Sequence, residues 1–264
     1  MWKPHSDIPT NASGYIPKLI HQIWIGPRLP PILGKYCSTF KNMKGYRYKL
    51  WRTKDLHEAN FPHTWKYIEK LLQAPKIIYA MIADLMRIEI LYHHGGIYVD
   101  TSFEAVKNLD VILDHTKAKF IMSNELSCGL KCRGGDKKAL YISNSFIVST
   151  PGYIVLSRLI SNEYLSMIDF TTNANYATGP YYVRSGILSY KEIKILPTTM
   201  IYPYNYGEKN HNDDFFDECF SLERKDGFRK YGYFNNTYFL KFPCKAYPNA
   251  IMIKNFEIGG TWKK

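Results

Sequence analysis

Apolar residues first gather in Leu19-Ile20-His21-Gln22-Ile23-Trp24-Ile25, a run introduced by Pro17 and closed by Gly26-Pro27. So short a run between proline and glycine punctuation predicts a buried strand. A proline-rich loop, Arg28-Leu29-Pro30-Pro31, follows, and Tyr46 to Trp51 then alternates as a second strand does. Thr53-Lys54-Asp55 predicts a short helix and Thr64 to Leu72 another. Pro75 sits where the first turn of a helix tolerates proline, and from it Ile78, Met81, Ile82, Leu85, Ile88 and Tyr92 recur at helical spacing. This predicts an amphipathic helix, ended by Gly95-Gly96 with one glycine free to take the left-handed cap position. The strand Ile97-Tyr98-Val99 then delivers Asp100 to its C-terminal tip.

Strand, helix and strand in that order predict a parallel-type α/β sheet. Ligands of such open sheets collect beyond the carboxyl ends of the strands, which is where Asp100 falls. Further strands are expected at Phe120 to Ser123, Asn144 to Ser149 and Ile193 to Leu196, with a helix near Tyr153 to Glu163. The aromatic and charged stretch Tyr202 to Lys230 has no assignable period. No internal repeat or low-complexity linker interrupts the chain, so one domain is expected.

Composition narrows the class. With 45% hydrophobic and 22% charged residues over 264 positions, the chain reads as globular, neither disordered nor embedded in a membrane. A net charge of +12 favours anions: nucleic acid, lipid head groups or nucleotides. The cations are dispersed, with Lys137-Lys138 and Lys263-Lys264 the only adjacent lysine pairs, which argues against a nucleic-acid-binding tail. Five cysteines, of which only Cys128 and Cys132 stand close, give neither a disulfide framework nor a zinc site. Neither a signal peptide nor a membrane-spanning run is visible, and a soluble, cytoplasmic protein is expected.

Asp84 and Arg87 stand three apart and share one flank of the predicted helix, beside its apolar stripe. They fit a surface ion pair worth a few tenths of a kcal/mol. They equally fit a site in which a cation and two carboxylates bind a diphosphate and sugar hydroxyls, the planar guanidinium matching phosphate oxygens.

Ala83-Asp84-Leu85-Met86-Arg87, followed by Leu91-Tyr92 and Gly95-Gly96-Ile97-Tyr98-Val99-Asp100-Thr101-Ser102, resembles the sugar-binding "DXD" region of glycosyltransferases. The resemblance is greatest to family 32 and more distant to the glucosylating domains of large clostridial toxins. Ile16 to Gly26 is similar to that family's opening strand, Asn144 with Pro151-Gly152 to its "N…PG" segment, Thr178-Gly179-Pro180 to its "TGP", and Thr261-Trp262 to its closing Ser-Trp. The resemblance implies a GT-A-type, Rossmann-like open sheet flanked by helices. It implies a nucleotide-sugar half over about residues 16–105 and an acceptor half over about 106–264.

By the same resemblance Ile23, Trp24, Leu50 and Trp51 would line the nucleobase pocket, and Asp84 and Arg87 would hold sugar hydroxyls and diphosphate. Tyr98 would support the nucleotide, Asp100 would contact ribose, sugar and metal shell, and Asn144 would lie near the reacting sugar. Thr261 and Trp262 would close over the diphosphate. The implied cofactor is a divalent metal, Mn2+ or Mg2+, on Asp100, Ser102 and Glu257. Two departures stand out: Ser102 replaces the motif's second Asp, and Lys254-Asn255 lies in the neighbourhood where the family has His-His. The expected activity is transfer from a nucleotide sugar, a UDP-sugar ahead of GDP-mannose, to a glycan, protein or small-molecule hydroxyl with retention. The partners are thus donor and acceptor, with no nucleic acid expected. The alternative is a basic nucleic-acid-binding protein or an inactive nucleotide-sugar-binding one, motivated by the charge and by Ser102.

Overall fold

The strand β1 (Leu19–Trp24) is buried along its whole length, as a strand covered on both faces must be. In the computed structural model the described residues are 14–113, 118–125, 140–187, 190, 192–203 and 249–254, with the backbone of 220–222 and 238–240. After β1 come α1 (Pro31–Lys41), β2 (Arg47–Arg52), α2 (Trp65–Leu72), α3 (Tyr79–His94), β3 (Gly96–Val99), β4 (Phe103–Ala105), α4 (Asp110–Leu113), β5 (Phe120–Asn124) and β6 (Ile142–Ser149). The order continues with α5 (Ile154–Leu159), α6 (Asn162–Ser166), α7 (Ala174–Ala177), α8 (Pro180–Ile187), β7 (Ile193–Leu196), α9 (Thr198–Ile201), β8 (Phe220–Leu222), β9 (Tyr238–Leu240) and β10 (Met252–Lys254).

Six strands form one sheet in the order β2-β1-β3-β6-β5-β7. The expected α/β class holds, with one correction. The sheet is mixed rather than parallel, because β6 runs antiparallel to both β3 and β5. Alternate residues face opposite layers. Ile23, Tyr98, Phe120 and Ile147 join the core under α3, α5 and α8. Ile20, Ile97, Val99, Ile121, Phe146 and Val148 join a second core with Phe40, Ile112 and Ile201. β2 and β3 flank β1 on opposite sides, so the chain switches direction across the sheet at the carboxyl ends of β1 and β3. Crevices at such switch points are where ligands bind in open α/β sheets.

Two helices differ from expectation. α3 begins at Tyr79 rather than at Pro75, because Ile77 and Ile78 pack against the core before the helix starts. The helix expected near Tyr153 to Glu163 is two pieces, broken where the Ser161 hydroxyl accepts a bond from the Tyr164 N–H and caps a new helix. The short helix at Thr53–Asp55 is a 3-10 turn.

α3 lies at the centre of the larger core. Met81 to Leu91 are all buried, so it is a core helix and not the amphipathic surface helix that its period predicts. Its one acidic residue in the middle of that stretch beyond Asp84, Glu89, ties it to the start of α2. Glu89 accepts bonds from the His63 N–H (2.8 Å), the Thr64 N–H (2.9 Å) and the Thr64 hydroxyl (2.5 Å). Burial alone pushes its carboxyl up, but the bonds from His93, Thr64 and His63 together hold it below the usual range. The Gly95-Gly96 exit is sterically required. Both have positive φ, and a Cβ on Gly96 would stand 2.3 Å from the Leu19 carbonyl oxygen.

Candidate active site

β3 ends where the Asp100 N–H donates to the Ser145 carbonyl (3.0 Å), which leaves the Asp100 side chain at the sheet's carboxyl edge, 28% exposed. Tyr98 and Asp100 are two apart and share the face that α3 covers. The Tyr98 hydroxyl donates to Asp100 Oδ1 (2.6 Å), and the Arg87 guanidinium lies over the Tyr98 ring at 4.6 Å. From α3, Arg87 spends its donors in several directions at once. Nη1 donates to the Asn144 carbonyl (2.7 Å), Nη2 pairs with Asp84 Oδ1 (2.9 Å), and Nε reaches the Ala83 carbonyl (3.3 Å). Nη2 is also 3.6 Å from Asp100 Oδ1, so one guanidinium spans both carboxylates.

Asp84 is buried. Besides Arg87, Asn144 Nδ2 donates to its Oδ1 (2.9 Å) and the Thr178 hydroxyl to its Oδ2 (2.9 Å). Burial pushes its carboxyl up to about 6, against the opposing pull of Arg87 and the two hydrogen bonds. The surface ion pair is thereby corrected: both partners are buried, because α3 is covered all round. Asn144 lies inside β6. Thr178 comes from the Thr178-Gly179-Pro180 turn between α7 and α8, where a Cβ on Gly179 would stand 2.8 Å from the Ala174 carbonyl oxygen. That close approach is the physical signal that the turn has one conformation.

The other side of Asp100 is built by residues that sequence reasoning left out of the site. β10 pairs antiparallel with β4 and sets Lys254 opposite Phe103. Lys254 Nζ donates to Ser145 Oγ (2.9 Å) and stands 3.8 Å from Asp100 Oδ2, its side chain 14% exposed. Ser145 Oγ is in turn bonded to the Tyr202 hydroxyl (2.7 Å). The Gln22 side-chain amide donates to the Asp100 carbonyl (3.1 Å) and accepts from the Tyr48 hydroxyl (2.8 Å). Lys254 comes from β10, Ser145 from β6, Gln22 from β1 and Tyr202 from the end of α9, so no local spacing joins them.

The four residues assigned to a nucleobase pocket fall on two faces. Ile23 and Trp51 lie in the large core, where Trp51 Nε1 donates to His21 Nδ1 (3.2 Å). Trp24 and Leu50 pack with Leu33 and Tyr36 in a small separate cluster, and Trp24 Nε1 donates to the Pro27 carbonyl (2.8 Å). His21 Nε2 faces the Gly95 carbonyl at 3.0 Å, so this histidine bridges β1, β2 and the end of α3. Glu257, Thr261 and Trp262, like Cys128 and Cys132, lie outside the described residues.

Transferases of the DXD type generally use a divalent metal. Among the described residues the donor set here does not fit one. Asp100 is the single carboxylate of the expected trio that is described; its Oδ1 already accepts from Tyr98, and an ammonium faces its Oδ2. Ser102, buried in the turn after β3, brings no charge. Two unit charges of like sign 4 Å apart repel by about 4 kcal/mol at an effective dielectric constant of 20, and a divalent ion doubles this. The described cluster with metal-ligand spacing, His63, Glu89 and His93, is the tie between α2 and α3.

Residues 33–119 match the family model described as "glycosyltransferase sugar-binding region containing DXD motif", which includes Asp84, Arg87 and Asp100. An uncharacterized glycosyltransferase of Acanthamoeba polyphaga mimivirus is 29% identical over 214 residues, 74% of this chain and 76% of that one. Inositol phosphoceramide mannosyltransferase 3 of Schizosaccharomyces pombe is 32% identical over 41% of this chain and 30% of its own. Inositol phosphoceramide mannosyltransferase 1 of the same yeast is 26% identical over 69% of this chain and 53% of its own. This chain therefore spans about half or less of either yeast protein. Among solved structures, the PaToxG glycosyltransferase overlays with a TM-score of 0.47 at 18% identity, covering 65% of this chain and 69% of that one. The galactosyltransferase LgtC overlays with a TM-score of 0.41 at 10% identity, covering 70% of this chain and 75% of that one.

Proposed function

We propose that this chain, which carries a glycosyltransferase sugar-binding region, is a single transferase domain moving a hexose from a UDP-sugar to a hydroxyl acceptor with retention. The observation that carries the reading is the span of Arg87 across Asp84 and Asp100 at the carboxyl edge of β3. With Asp84 buried behind it, the guanidinium fixes the direction of Asp100, the carboxylate at the sheet edge that a sugar or ribose hydroxyl can reach. Arg87 has its donors on protein acceptors, so its proposed role is to orient Asp84 and Asp100 rather than to grip the diphosphate. Asn144 and Thr178 orient Asp84 in the same way. Tyr98 fixes Asp100, whose exposed oxygen meets ribose and sugar. Trp24 and Leu50 form the base-side wall, and Thr261 and Trp262 keep their proposed place over the diphosphate.

In the reaction, the bond between the anomeric carbon and the phosphate oxygen breaks and its electron pair leaves with the nucleoside diphosphate. The acceptor oxygen bonds to the anomeric carbon, and its proton passes to the departing phosphate oxygen that took the electron pair. For the acceptor, a cleft of about 460 Å3 walled by Tyr164, Tyr176, Tyr181 and Tyr182 includes Ala177, the neighbour of Thr178. Tyrosine rings suit the apolar faces of sugars, with hydroxyls for their edges.

The reading is tested by release of nucleoside diphosphate from UDP-glucose, UDP-galactose, UDP-N-acetylglucosamine and GDP-mannose, with NMR of the product's anomeric proton. Turnover is expected with a UDP-sugar and an anomeric configuration equal to the donor's. Asp100→Asn is expected to abolish it while melting near the wild-type temperature, since Asp100 stands at the edge of the sheet. An Asp100→Asn variant retaining half of wild-type turnover would remove Asp100 from the site. No turnover with any donor, together with RNA binding that falls steeply with salt, would favour the nucleic-acid alternative.

A further inference from the structure

We infer that Lys254 stands in for the divalent cation, so that this chain binds the donor diphosphate and stabilises its departure with an ammonium and no metal. The inference rests on the nucleotide-sugar reading above. Lys254 is placed by backbone pairing, since the β4–β10 register sets it opposite Phe103, three residues after Asp100. Its head is fixed by Ser145 Oγ at 2.9 Å, and Ser145 is held by Tyr202. Its charge lies 5.6 Å from the ring centre of Phe103 and 5.7 Å from that of Tyr202, the contacts of a cation kept in one place by aromatic walls. The ammonium is 3.8 Å from Asp100 Oδ2, near enough to be paired with it electrostatically and too far for a saturated hydrogen bond.

The two departures from the DXD pattern compensate each other in charge. A pair of carboxylates around a divalent cation is neutral, and so is one carboxylate beside one ammonium. Among the described residues Ser102 leaves Asp100 as the carboxylate at this edge, and Lys254 sets one positive charge beside it. When the glycosyl–phosphate bond breaks, the electron pair adds negative charge to the terminal phosphate oxygen. A fixed cation at the edge of β3 stabilises that charge without rearranging, as preorganised groups do. Lysine acts on phosphate as a point charge, so it takes a metal's electrostatic role without its coordination geometry.

The test uses the full chain, stripped with EDTA, and titrates UDP calorimetrically with chelator present and with excess manganese. The wild type is expected to bind UDP with the same Kd in both conditions, and UDP-sugar turnover is expected to survive EDTA. Lys254→Met should weaken UDP at least about tenfold, and Lys254→Arg, which keeps the charge, should lose less. Circular dichroism melting establishes that each variant is folded. The double variant Ser102→Asp with Lys254→His should bind UDP more tightly with manganese than with EDTA. UDP binding by the wild type only with manganese overturns the inference and leaves the nucleotide-sugar reading standing, as does a folded Lys254→Met with unaltered affinity. Failure of the wild type to bind UDP, GDP or any tested donor in either condition overturns both.

Discussion

Arg87 shows how much one side chain settles when it is buried. Its guanidinium meets Asp84, the Asn144 and Ala83 carbonyls and the Tyr98 ring, with Asp100 3.6 Å away. A lysine keeps the charge but has no planar fork to serve those directions together. Arg87→Lys is therefore expected to cost about 1.5–3 kcal/mol of stability, the scale of one charged hydrogen bond lost in the interior. It is also expected to weaken donor binding at least about tenfold, because Asp84 and Asp100 lose their common anchor. Urea unfolding and UDP-sugar titration measure the two effects separately. A folded variant with unchanged donor affinity would return Arg87 to a structural role alone. At this scale the sequence supplied the pair Asp84 and Arg87 and the tip residue Asp100. It marked Lys254 only as a departure from the family's pattern and could not place it beside Asp100, because 154 positions separate the two in the chain and the β4–β10 pairing joins them.

At the level of elements, the turn from α3 into β3 carries the strictest requirement. Gly96 has φ 91° and no room for a methyl group beside the Leu19 carbonyl. Gly96→Ala is expected to destabilise the protein by about 2–4 kcal/mol, combining left-handed strain with overpacking. Gly34, inside α1, has nothing within 4 Å of where its Cβ would stand. Gly34→Ala is thus expected to stabilise by about 0.5–1 kcal/mol. Urea midpoints for the two variants check the contrast, and equal shifts in the same direction would refute it. The strand–helix–strand unit, its glycine exit and the two flanking strands were legible as punctuation and period. The burial of α3 on every side was not, since Asp84 and Arg87 fit a surface ion pair as well as an enclosed site until their partners are known.

Across the whole molecule, acid is expected to weaken the fold. Burial lowers His21 from 6.5 to about 3 and His94 from 6.5 to about 4, so the unfolded chain takes up these protons first. For a base with a depressed folded value, stability falls as pH drops below 6.5. Asp84 works the other way, since its raised value of about 6 lets the folded state bind a proton first. Two histidines against one carboxyl leave about one extra proton on the unfolded chain. Stability should therefore fall by about 1.4 kcal/mol per pH unit between pH 6 and 5. Urea unfolding at those two values tests this, and stability that stayed level or rose on acidification would contradict the buried, neutral state of His21. Among the described residues no helix is long and apolar enough to cross a membrane.

The sequence by itself determined what depends on neighbours along the chain. This covers the strand that ends at Trp24, the helix carrying Asp84 and Arg87 on one flank, the glycine pair, and the placement of Asp100 at a strand tip. Periodicity and glycine punctuation act within a few residues, so one chain suffices to read them. Tertiary structure decided what depends on contacts between distant segments. β6 enters antiparallel because long connections are free to return in either direction, and nothing local to Ile142–Ser149 fixes that choice. Thr178 reaches Asp84 across 94 positions and Lys254 reaches Asp100 through strand pairing, which turns a readable motif into a site with its own cation. Burial, too, belongs to the assembled molecule: it made an apparent surface pair into an enclosed one and moved the Asp84 carboxyl upward, because desolvation depends on everything packed around a charge.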